Sequence, residues 1–67
     1  MTRIYTKVVD LLKKSGMYWT VEDLEYIRDA HKDVWDEQAE ANVVQTIIDR
    51  IKRAGGASIN IYTGEIA

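Results

Sequence analysis

The sequence predicts a small α+β domain, with three helices packed on a minimal antiparallel sheet. Three observations predict it. Apolar residues recur at helical spacing in three separate stretches, and no proline interrupts any of them. A double glycine, Gly55-Gly56, stops the third stretch, and the alternating run Ser58-Ile59-Asn60-Ile61-Tyr62 follows it. The short β-prone run Met17-Tyr18-Trp19 lies between the first two helical stretches and supplies a strand partner for the alternating run.

Residues 3–15 read as the first helix. At 100° per residue, Ile4, Tyr5, Val8, Val9, Leu11 and Leu12 share one half of the wheel. Thr2 is a candidate cap. Lys13 and Lys14 suit the negative end of the dipole, and Gly16 suits the position just past the helix. After Met17-Tyr18-Trp19, Thr20 is a good N-cap, with Glu22 and Asp23 in the first turn behind it.

From Thr20 to Gly55 there is no strong breaker, so one long helix has to be considered. The wheel argues against it. Leu24, Ile27, His31 and Val34 share one side, whereas Val43, Val44, Ile47, Ile48 and Ile51 lie nearly opposite. A break between Lys32 and Asn42 removes the conflict. Asp33, Asp36 and Asn42 are candidate caps, and Asn42-Val43-Val44-Gln45 has capping-box spacing. The second helix is placed at about 21–32 and the third at about 40–54, with 33–39 unassigned. Thr63-Gly64 offers a turn, and Glu65-Ile66-Ala67 a stub of return strand. The expected core is Ile4, Val8, Leu11, Leu12, Leu24, Ile27, Val43, Ile47, Ile48, Ile51, Ile59 and Ile61.

Composition bounds the function. Sixty-seven residues form one domain over 1–67. A chain this short buries only about 60% of its unfolded surface, so its stability is marginal and a homodimer is compatible with it. Without cysteine there is no disulfide framework or Cys-type zinc site, and one histidine cannot build a His-rich metal site. Net charge is −2, with a pI near 5.2. That acidity counts against nucleic acid unless a local basic face exists. No apolar run reaches the ~18 residues of a membrane span, and no signal-peptide pattern opens the chain, so the expectation is a soluble, cytoplasmic protein.

Catalysis is not expected. Ser15 and Ser58 sit at element ends without a base, and Gly55-Gly56 follows a helix, the wrong end for phosphate. The acidic spacing matches no EF-hand loop. Neither a cofactor nor a metal is expected.

The order helix, strand, helix, helix, strand, turn, strand resembles the winged helix-turn-helix superfamily over nearly the whole chain. Thr20-Val21-Glu22-Asp23-Leu24 opens the first motif helix. Val43-Val44-x-x-Ile47-Ile48-x-x-Ile51 with Gly55 closes the second, and Ile59-Asn60-Ile61-Tyr62-Thr63-Gly64 is similar to a strand and small wing. The resemblance implies a DNA-binding regulator whose third helix enters the major groove. That helix carries Asn42, Gln45, Thr46, Asp49, Arg50 and Arg53 on its outer side. Asn and Gln can bond adenine, and Arg can bond guanine. Lys52, Arg28, Lys32, Lys13 and Lys14 would meet phosphates, with Thr63 in the wing. The short wing with its Glu65, and the acidic stretch before the third helix, depart from the pattern. The plain alternative is an ordinary solvated helix face.

That acidic stretch, Asp33, Asp36, Glu37 and Glu40 around Trp35, supports a different reading: an acidic module, inhibitor or adaptor, that binds a basic protein. Its plain alternative is capping and solvation with Trp35 in the core. His31 is expected at the core edge. Tyr5, Tyr18, Trp19 and Tyr62 are expected in or beside the core, and Tyr26 outside it.

Overall fold

A computed structural model describes Thr2–Ala67, with side chains from Arg3 onward. Helix α1 spans Thr2–Ser15, strand β1 Tyr18–Thr20, helix α2 Val21–Asp29, helix α3 Gln38–Arg53 and strand β2 Ser58–Asn60. The class is α+β, and the elements follow the expected order. The expected cap at Thr2 lies outside the described side chains. No described helix is long and apolar enough to cross a membrane.

Local chemistry accounts for the element ends. The Thr20 hydroxyl accepts the Asp23 amide at 3.1 Å, so one residue ends β1 and caps α2. At the end of α3, the Gly56 amide donates to the Ile51 carbonyl at 3.0 Å and the Gly55 amide to Lys52 at 3.1 Å. With Gly55 at φ +70, this is a Schellman closure. Gly56 lies so close to the C-terminal residues that an added Cβ would meet the Ile66 side chain and the Ala67 carbonyl.

The sheet is two antiparallel strands in the register Tyr18↔Asn60, Trp19↔Ile59 and Thr20↔Ser58. Ile59 also bridges Ile66, so the expected return stub exists as one bridge. The Asn60 side chain makes the intervening turn by accepting the amides of Tyr62 (2.9 Å) and Thr63 (3.3 Å). Gly64, at φ +80, completes it.

The break between α2 and α3 differs from expectation. No side chain caps α3. Asn42 lies inside that helix, where its carbonyl accepts the Thr46 hydroxyl. Asp33 lies in a π-helical turn, Ala30–Val34, that extends α2. There the Trp35 amide reaches back five residues to the Ala30 carbonyl at 3.1 Å, and the Glu37 amide reaches six back to His31 at 2.6 Å. Asp36 then takes the left-handed conformation, φ 52, which reverses the chain.

The core is built on α3. Val44, Ile47, Ile48 and Ile51 meet Leu24 of α2, Val8 and Leu12 of α1, and Ile59 and Ile61. Each such side chain contributes about 1.5–3 kcal/mol on burial. Ala41 and Val44 are buried although neither was on the expected list, because the buried side of α3 centres on Val44. Leu11 leaves the expected core at 44% exposure, because α1 inserts only a narrow strip headed by Val8 and Leu12. Ile27 and Val43 pack at the core's edge, and Ile4 is half-buried. Val34 shares the Leu24, Ile27 and His31 side of the sequence wheel, although it falls in the unassigned stretch 33–39 and outside the expected core. It is 73% exposed, because the wider π turn shifts the wheel before it is reached.

The left-handed corner yields a prediction. Asp36→Val should lower stability by about 1–2 kcal/mol, whereas Asp36→Gly should lower it little or raise it. Urea denaturation of the two variants checks the sign.

Candidate nucleic-acid interface and acidic corner

Asn42, Thr46, Arg50 and Arg53 recur along α3 at spacings of four, four and three, and all four are exposed. They form one outward stripe. The Asn42 amide oxygen accepts Gln38 Nε2 at 2.9 Å, and its NH2 makes no hydrogen bond among the described residues. The Arg50 guanidinium makes one long contact, 3.4 Å to the Tyr5 hydroxyl. Lys52 and Arg53 are exposed in the last turn, where the dipole favours cations.

Gln45 and Arg28 differ from the rest of the expected DNA-contacting set. Arg28 Nη1 donates to Gln45 Oε1 at 2.8 Å, and Gln45 Nε2 donates to Asp49 Oδ1 at 2.9 Å. Arg28 Nε also holds Asp29 at 3.0 Å. This half-buried chain joins α2 to α3 and occupies both ends of the Gln45 amide. A groove of about 300 Å³ lies beside it, lined by Arg28, Lys32, Gln38, Asn42 and Gln45 among others. Arg28, Lys32, Asn42 and Gln45, all expected to contact DNA, therefore share one groove. Thr63 stands apart in the turn after β2, where its hydroxyl accepts the Glu65 amide at 3.2 Å.

The acidic stretch is divided by its partners. Glu40 turns toward α1 and takes the Lys7 ammonium at 3.0 Å. Lys7, and then its own backbone amide, hold the Glu40 carboxyl below the usual range. The same bond raises Lys7. Glu37 Oε1 meets His31 Nδ1 at 2.7 Å. Asp33 and Asp36 remain exposed.

His31 is more deeply buried than a core-edge residue, at 4% exposure. A carboxylate only accepts, so Nδ1 donates to Glu37, and the buried Nε2 has no hydrogen-bond partner among the described residues. Trp35 stacks edge-on against the imidazole, with ring centroids 4.8 Å apart. Trp35 is nevertheless 54% exposed, which decides a position that the sequence left open and sets aside the plain alternative of a core tryptophan.

Tyr26 is exposed, as expected. Tyr18 and Tyr62 are exposed against expectation, because the short sheet covers neither. The Tyr62 hydroxyl donates to the Lys13 carbonyl at 2.9 Å, and the Lys13 ammonium lies 5.5 Å from its ring centroid. Among the described residues, no group of three or more His, Cys, Asp or Glu side chains is placed to hold a metal.

Charge segregation is a feature that reading element by element missed. Residues 22–40 hold eight of the eleven carboxylates and two of the nine cations. The rest of the chain holds seven cations against three carboxylates. The signal is visible in the sequence once residues 22–40 are set apart from the two segments that flank them.

No protein-family model, no curated protein and no solved structure matches this chain.

Two predictions follow from the pairings. Gln45→Ala should cost about 1 kcal/mol in urea unfolding, since it removes a bridge between helices. Lys7→Ala should move the Glu40 titration midpoint upward in NMR, toward the ordinary carboxylate range. With Lys7 present, the stabilisation from Glu40 is complete above its ordinary pKa and is lost as pH falls through the lowered one. The pair is at the surface, so salt should weaken it.

Proposed function

We propose that this chain is a non-enzymatic, regulatory DNA-binding protein that docks the outward stripe of α3 on a duplex. The observation that carries this reading is the charge segregation. The net charge of −2 is a sum over two unlike parts, and the part containing most of α3 is cationic. Within residues 41–67, Arg50, Lys52 and Arg53 stand against Asp49 and Glu65, so the end of α3 is locally basic although the chain as a whole is not. The winged-helix-like element order supports the same reading.

On this reading Arg50, Lys52 and Arg53 meet phosphates or guanine, and Asn42 offers its free amide to adenine. Thr46 and Lys32 lie beside that path. Gln45 and Arg28 shape the stripe from behind and read no base. The test is fluorescence anisotropy on mixed duplex DNA across a salt series. Log affinity should fall linearly with log salt, and Arg50→Ala and Arg53→Ala should each reduce the slope by about 1. Absence of binding at low salt, or a slope unmoved in the double variant, would overturn the proposal.

A second reading, an acidic protein-binding module, is favoured by one observation. Trp35 is open to solvent with Asp33 and Asp36 beside it, and an exposed aromatic with charged neighbours has the form of an interface anchor.

A further inference from the structure

Next to that corner, α2 and the π turn leave an apolar stripe without a partner. Tyr26, Ala30 and Val34 follow one another at four-residue spacing. Tyr26 is 75% exposed, against 73% for Val34. They line a shallow groove of about 220 Å³, closed at its sides by Asp29 and Asp33. Tyr26, Ala30 and Val34 line one groove, so they form a contiguous apolar patch and not scattered surface residues. No such patch sits on the outward stripe of α3, which is polar and cationic.

We infer that this groove binds an amphipathic helix of a partner protein, one that carries aliphatic anchors flanked by Lys or Arg. The inference rests on the second reading above and names its partner class; it is independent of DNA binding. Length, shape and charge each support it. Eight residues of helix span about 12 Å, which matches two turns of a partner helix and its anchors at i and i+3 or i+4. Tyr26 and Val34 stand at the two ends, with the small Ala30 between them, so an anchor can settle over Ala30. The rim is acidic. Asp33 is exposed, and Asp29 keeps a 55% exposed side chain although Arg28 is bonded to it. The surrounding segment, 22–40, holds most of the chain's carboxylates. Such a rim attracts cationic partners and repels acidic ones, which sets partner choice and association rate more than affinity. The anchors supply the affinity.

The test is selection of a displayed library of 20-residue helices, random in charge, on the immobilised full chain. Enriched helices are then synthesised and titrated against variants. Enriched sequences should be cationic, with aliphatic residues at i, i+3 or i+4, and i+7. Tyr26→Ser with Val34→Ser should weaken them at least tenfold. Asp33→Lys should weaken them several-fold at low salt and little at high salt. All three positions are exposed, and circular dichroism should show the fold unchanged.

Four results would overturn the inference, each in its own way. Neutral or acidic helices that still require Tyr26 and Val34 would keep the docking face and reject the cationic partner. Helices that require Trp35, read with Trp35→Ala, but not Tyr26 and Val34 would keep the corner and reject the groove. Self-association in sedimentation, abolished by the double Ser variant, would make a second copy the occupant. Enrichment of nothing sensitive to Tyr26, Val34 or Trp35 would reject the groove and the second reading together.

Discussion

The corner at Trp35–Glu37 is the constraint on which the rest of the structure depends. Helices α2 and α3 have to fold back against each other for the apolar side of α3 to meet Leu24. Nothing covalent enforces the reversal, since the chain has neither proline nor cysteine. Three local devices do it instead. The π turn ends α2 with carbonyls bonded five and six residues on. Asp36 reverses the chain in the left-handed region. The His31–Glu37 pair then ties the last turn of the first arm to the residue that opens the second. Its cost is an unpaired Nε2 in the interior, on the order of 1–3 kcal/mol. That cost is tolerated because without the corner neither α1 nor the sheet would find the packed side of α3.

Much of the fold was legible because its signals are local. Thr20 with its acidic followers and Gly55-Gly56 each act within a few residues, and each ended or began an element as expected, whereas the alternation from Ser58 to Tyr62 is a strand only over Ser58–Asn60, because the Asn60 side chain starts the turn at Ile61. The break was less legible. Asn42 with Gln45 had capping-box spacing, but a cap needs a helix end, and the end was set upstream by Asp36. A left-handed Asp has no sequence signature that separates it from a solvated one. Val34 left its side of the wheel for a related reason, since a wheel drawn at 100° per residue fails once a π turn intervenes.

The candidate site was legible by residue type and much less so by role. Asn42, Thr46, Arg50 and Arg53 kept the outward positions that their spacing gives them. Gln45 looked free because its partners, Arg28 and Asp49, are seventeen and four residues away, and only the packing of α2 on α3 brings the former near. Glu40 and Glu37 were grouped with Asp33 and Asp36 by sequence proximity. Lys7 and His31 draw them elsewhere. Charge read by segment was more informative than charge read by residue, because segregation survives local pairing.

The shortness of the sheet has a bearing on solubility. β1 has three residues and one neighbour, so its other edge is open. An open edge bearing Tyr18 would ordinarily invite another chain to add itself and begin a fibril. Three residues present too few free amides for such a strand to hold. The edge is thus closed against templated growth by its brevity, so the chain can keep exposed aromatics beside it without a gatekeeping charge within the strand.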